Sequence, residues 1–298
     1  MGSELLIPVD FSEMTQLAVS FGFEIARRLD LDPVLLYASP VPLPAIYDTY
    51  PEDIGGLDNE VVQIEEMEVG LEMYKAGESG MERLKKQILA WQKEGRVIDL
   101  KFKTVVSEGM PEEVIREYAR FNNPRVIVMA TRGIQKKEEE LVGSVTAEVL
   151  DNCRTPLFAI PENYKLCKVS DIVRLVALCS LEGNDEACVD ELMHMFGSPS
   201  VDMWLVPMGE KLNPEKQFAS VNELTANLEQ KYPSSKFHAL ELPDIDKREV
   251  LESFMSENDI QMIIAPNKKK NIFARLFNPG IAHKILFEKD IPLLALPV

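Results

Sequence analysis

Three residues carry most of the chemical promise of this chain: Asp10, Gly143 and Ser144. Asp10 closes the apolar run "LLIPVD" (5–10), and a carboxylate at the end of a strand can accept from ribose hydroxyls or an adenine amine. Gly143 and Ser144 end the loop that follows the apolar run "RVIVMA" (125–130) and open a helical pattern. Unpaired backbone N–H groups and the helix dipole favour an anion at such a start. Gly143 permits close backbone approach, and Gly133, with nine residues between them, can take positive φ in the turn. A plainer account also fits each feature. Asp10 and Ser12 then merely cap a helix, and Ser144 is the N-cap of an ordinary strand-to-helix loop. Glu138, Glu139 and Glu140 sit inside that loop, where they oppose a triphosphate unless they point outward; Lys136 and Lys137 offset part of the charge.

These residues can act together only if the fold brings two strand ends side by side. Self-similarity first shows two copies of one unit. "PLFAIP" (156–161) matches "PLLALP" (292–297) at an offset of 136, which also lays "RVIVMA" on "QMIIAP" (261–266). Near the start of each half, "LLIPVD" is answered by "LVALCS" (175–180). The first half predicts strands at 4–9, 33–38, 97–106, 124–130 and 156–160, with helices at about 13–29, 62–93, 110–121 and 144–152 between them. The second predicts strands at 173–179, 201–207, 236–241, 261–265 and 292–297, with helices at 184–196, 215–231, 246–257 and 280–288. Such alternation implies right-handed crossovers and parallel sheets, with ligands collecting outside the carboxyl ends of the strands. The Pro- and Gly-rich segment 39–60 reads as a long loop or lid.

The bulk numbers narrow the partners. A formal charge of −17 repels a phosphate backbone, so no nucleic-acid role is expected. No run reaches the roughly 18 apolar residues of a membrane span, and the start lacks a secretory pattern, so a cytoplasmic protein is expected. Cys153, Cys167, Cys179 and Cys188 form no CxxC pair, and His194, His238 and His283 lie far apart, so reduced thiols and no metal centre are expected. No catalytic serine elbow or phosphate-loop lysine motif occurs.

At the strand-end aspartate and the glycine loop the sequence resembles the universal stress protein family, over essentially the whole chain as a tandem pair. Nucleotide-binding members carry G-x-x-G, nine residues, then G-S/T; here the match is Ala130-x-x-Gly133, nine residues, then Gly143-Ser144, with Ala130 in place of the first glycine. The resemblance places the strand-end aspartate at Asp10, after Pro8 and Val9, the adenine edge at the backbone of Ala38, and Gly133, Gly143, Ser144 and Val145 around the phosphates, with Ala130, Thr131 and Arg132 close by in the same nucleotide site. It implies an α/β protein of two tandem five-stranded parallel-sheet sandwich domains, adenine nucleotide alpha hydrolase-like, with strand order 3-2-1-4-5. The domains implied are 1–163, with a partly retained nucleotide loop, and 170–298, a degenerate copy in which Ser180, Lys269, Pro279 and Gly280 stand for Asp10, Gly133, Gly143 and Ser144.

The function so implied is stress-response regulation by binding ATP or a related adenine nucleotide in the first domain, with at most slow incidental hydrolysis. The alternative is a nucleotide-independent tandem scaffold for an unknown protein partner. The last strands of the two halves are expected to pair within the chain as a pseudo-dimer, with homodimerisation left open. The basic-apolar segment 267–277, including Lys268–Lys270, reads either as an anion or partner contact or as a solvated loop packing Phe273 and Phe277.

Overall fold

Short β-branched and leucine-rich runs alternate with longer amphipathic ones, and each becomes the element its period favours. The computed structural model describes residues 3–40, 58–131, 144–165, 172–181, 183–208, 213–242, 247–267 and 290–297. The first half contains β1 (Glu4–Pro8), α1 (Met14–Leu29), β2 (Asp32–Ser39), α2 (Asp58–Lys93), β3 (Lys103–Glu108), α3 (Pro111–Asn122), β4 (Val126–Thr131), α4 (Ser144–Asn152) and β5 (Leu157–Pro161). The second contains β6 (Arg174–Cys179), α5 (Asp185–Met195), β7 (Asp202–Pro207), α6 (Pro214–Lys231), β8 (Lys236–Ala239), α7 (Lys247–Glu257), β9 (Met262–Asn267) and β10 (Leu293–Pro297).

All strands join one sheet in the order β3-β2-β1-β4-β5-β10-β9-β6-β7-β8. Each half therefore has the expected 3-2-1-4-5 order, with every pairing inside a half parallel. The last strands of the halves meet antiparallel, with Leu293 opposite Ala159 and Ala295 opposite Leu157. That join protects two edges that would otherwise template aggregation.

The repeat is visible in the backbone itself. Phe11 and Leu181 adopt left-handed φ values of 59° and 58° just beyond β1 and β6, and Asn123 and Asp259 do the same, at 47° and 51°, just beyond α3 and α7. Side chains from α1, α2, α5 and α6 fill one face of the sheet, through residues such as Phe21, Ile88, Leu192 and Val221. Those of α3, α4 and α7 fill the other, through Ile115, Leu150 and Leu251. Trp91 of α2 is buried in the first of these cores, as its helical spacing predicts.

The helix expected from 62 begins at Asp58, inside the segment read as a loop, and the strand expected to 241 ends at Ala239. The third strand begins at Lys103 rather than 97, although Val97, Ile98, Leu100 and Phe102 all pack on the core. The Gln92 side chain explains this: its amide donates to the Ile98 and Leu100 carbonyls, so these residues are held by a side chain instead of a ladder. The segment 41–57, the helix expected at 280–288 and the basic segment 268–277 lie outside the described residues.

The halves are bound by more than the strand pair. Phe158 on β5 meets Phe21 at 5.3 Å and, across the seam, Phe196 at 6.5 Å between ring centroids. Arg125 pairs with Glu191 at 2.9 Å, and the buried Asn267 amide donates to the Leu150 carbonyl at 2.9 Å near the end of α4. Phe158→Ala is therefore expected to lower unfolding free energy by about 3–5 kcal/mol in a denaturant titration.

A second expectation is alkaline. Tyr232 donates to Asp190 at 2.7 Å, and burial, this bond and the Asp190 charge push its hydroxyl up to about 12. Between its ordinary value near 10 and that raised value the folded chain holds a proton the unfolded chain has lost, so stability falls as pH rises through this window. Tyr232→Phe should flatten that decline in thermal melts recorded across it.

Candidate functional site

The carboxyl edge of the first half is built by the pairing of β1 with both β2 and β4. Leu5 lies opposite Val126 and Leu6 opposite Ile127, so the ends of β1 and β4 emerge side by side. This places Pro8, Val9 and Asp10 beside Ala130 and Thr131, and α4 begins at Ser144 after the following loop. Arg132, Gly133 and Gly143, with Glu138–Glu140, lie outside the described residues. Val145 packs, partly buried, on the α3–α4 side of the sheet.

Beyond Val9, whose N–H donates to the Leu36 carbonyl at 2.9 Å, the chain must turn sharply. Phe11 accomplishes the turn in the left-handed region, an uncommon conformation for a bulky residue. Packing holds it there. Its ring stacks on Tyr37 with centroids 4.3 Å apart. Two glycines of α2 make the space: a Cβ at Gly80 would stand 2.6 Å from the Phe11 ring, and one at Gly77 2.7 Å from the Tyr37 ring. With Phe11 turned onto the helix, Asp10 remains exposed, one carboxylate oxygen accepting from the Ser12 N–H at 3.0 Å.

The expected cap at Ser12 is not formed. The N-cap position of α1 is Glu13, because a turn closed by the Thr15 N–H on the Ser12 carbonyl precedes the helix. Among the described residues, the hydroxyls of Ser12, Thr15 and Ser39 are buried without a hydrogen-bond partner. Leaving such a group unmatched costs about 1–3 kcal/mol, and three at one strand edge is an arrangement that an added polar group or water would complete. The Thr131 hydroxyl, by contrast, donates to the Ile160 carbonyl at 3.3 Å and is tied into the sheet.

Ala38 is placed by alternation. The Leu36 carbonyl faces β1, so the polar groups of Ala38, two residues on, point the same way, past the end of β1 at Pro8.

The matching edge of the second half is closed from within. Asp185, at the position corresponding to Thr15, is buried, and its carboxylate accepts from the Ser180 N–H at 2.7 Å, the Ser180 hydroxyl at 3.3 Å and the Leu181 N–H at 2.8 Å. Met208, the counterpart of Ala38, donates its N–H to the Cys179 carbonyl at 2.8 Å. An internal acid thus holds the turn amides of this half. Reading for motif residues alone passes over Asp185; its signal was an acid at a helix start, five residues after a strand-end serine.

The other titratable groups belong to the scaffold. His194 is exposed, and His238 contacts Asp202 at 2.6 Å while stacking on Trp204. Burial pushes the Cys179 and Cys188 thiols up, and Cys153 is likewise unpaired and buried. No group of three potential metal ligands occurs among the described residues.

Two like-ordered parallel units, one with a polar edge left incomplete and one sealed by its own carboxylate, define a tandem doubly wound α/β protein. The universal stress protein family matches residues 2–161, and the chain belongs to that family. It is 27% identical over 166 residues to Universal stress protein MJ0531 of Methanocaldococcus jannaschii, covering 54% of this chain and 84% of that protein. To Universal stress protein MJ0577 of the same organism it is 24% identical over 162 residues, covering 54% and 95%. The structure of a universal stress protein from Archaeoglobus fulgidus matches 100% of this chain and 99% of its own, with a TM-score of 0.59 at 14% identity, a likeness of fold.

Asp185→Asn should destabilise the protein by about 2–3 kcal/mol, since one oxygen acceptor is replaced by a donor facing amides. The exposed Asp10→Asn should change stability by less than about 0.5 kcal/mol. Parallel urea titrations check both.

Proposed function

We propose that this universal stress protein binds ATP or a related adenine nucleotide at the carboxyl edge of its first half, residues 1–163, as a cytoplasmic regulatory signal. The observation that carries this reading is the contrast between the two edges. The second, at Asp185, satisfies its turn amides internally, whereas the first leaves Asp10 exposed and the Ser12, Thr15 and Ser39 hydroxyls unmatched. Asp10 and the backbone of Ala38 would meet ribose and base, and the start of α4 at Ser144, with Gly143 before it, would receive phosphate. Thr131, tied to the sheet through its bond to Ile160, fixes the end of β4 beside the proposed site. The chemistry proposed is binding, with hydrolysis at most slow and incidental.

Residues 170–298 act in this reading as a degenerate, structural partner. A second reading, a nucleotide-independent scaffold, draws on the antiparallel β5–β10 join, which makes a built-in pair whether or not ligand binds. No described helix is long and apolar enough to cross a membrane.

Isothermal titration of the full chain with ATP separates the two. Under the nucleotide reading the unmodified chain binds one equivalent, Asp10→Ala weakens binding by about tenfold through loss of a charge-assisted acceptor, and Gly143→Lys abolishes it. Equal heats for all three proteins would remove the first-half site and leave the scaffold.

A further inference from the structure

A cavity of about 190 Å³ lies on the seam between the halves, away from the strand edge assigned to nucleotide. Its walls come from both halves: Ile25 on α1 and Phe158 on β5 face Leu192 and Phe196 of the α5 region and Met262 on β9. These side chains are apolar, the pocket is partly open to solvent, and its volume is of the order that admits a benzene-sized guest. Val173, 42% exposed, stands at the opening.

Arg28 also lines this cavity. One guanidinium nitrogen donates to the Phe196 carbonyl at 2.9 Å, and among the described residues no carboxylate pairs with it. Its neighbour Arg27 and the seam-spanning Arg125 pair with glutamates instead. A guanidinium has five N–H donors in a planar fork that matches a carboxylate, and among the described residues only the Phe196 carbonyl accepts from it.

We propose that the seam cavity binds a small amphipathic carboxylate, an aromatic or short aliphatic body seated against Phe158, Phe196, Leu192 and Met262, with its carboxylate on Arg28. The volume holds a single ring and a few further atoms. This site is independent of the nucleotide reading, since none of its residues belongs to the β1–β4 edge.

The test uses the full chain, with phenylacetate as the charged probe and 2-phenylethanol as its neutral analogue, followed by ligand-detected NMR titration. Arg28→Gln keeps a donor for the Phe196 carbonyl but removes the charge, and Val173→Trp fills the opening from an exposed position; a thermal melt confirms that each variant folds. The unmodified protein should bind phenylacetate saturably. Arg28→Gln should weaken that binding by about tenfold and leave 2-phenylethanol unaffected, while Val173→Trp removes both. Absence of saturable binding to the unmodified protein overturns the proposal, as does phenylacetate binding that survives both variants. Equal loss of the acid and the alcohol in Arg28→Gln would also overturn it, because Arg28 would then only shape the wall.

Discussion

The antiparallel pairing of β5 with β10 is the constraint on which the molecule rests. Each half alone would be a five-stranded parallel sheet ending in a bare apolar strand, "PLFAIP" or "PLLALP". Joined, the two strands satisfy one another's backbone groups in the centre of a ten-stranded sheet, with β3 and β8 left as the outer edges. The join also brings α1 and α5 together over one face, so that Phe21, Phe158 and Phe196 form a continuous aromatic contact through the seam. Arg125–Glu191 and Asn267–Leu150 add polar ties at positions where the two cores meet.

Within this frame the halves share a backbone and differ in chemistry. The same left-handed turn follows β1 and β6, at Phe11 and Leu181. What differs is where the acid stands. In the first half it is the strand-end residue, exposed, with a threonine hydroxyl buried behind it; in the second the strand ends in serine and the acid occupies the helix start, turned back on the loop. The second edge satisfies its turn amides from within because a buried charged acceptor, Asp185, gathers them.

Much of this was legible in the sequence. Period and the offset of 136 between "RVIVMA" and "QMIIAP" give the alternation of elements and the two copies, while the strand order, the join of the last strands and with them the placement of Asp10 beside Ala130 follow from the family resemblance. Contacts between residues distant along the chain were not. The side chain of Gln92 shortens the third strand, Asn267 supports the end of α4, and Arg28 reaches Phe196 across 168 positions; nothing in their immediate neighbours announces these partners. Asp185 lay between the two cases. Its role follows from aligning it with Thr15, which requires comparing whole halves rather than motif positions alone. Ser12 shows the reverse: a favourable cap by type, displaced because the chain completes a turn first.

The sealed turn at Asp185 bears on how this chain can respond to a soluble anion. A tethered carboxylate is present at an effective concentration that a dissolved competitor does not approach. Under the proposed nucleotide reading only one of the two turns then takes a soluble anion, and binding at that turn follows a graded, hyperbolic dose–response. Steepness of the kind that arises from two coupled loci would have to come from association between separate chains.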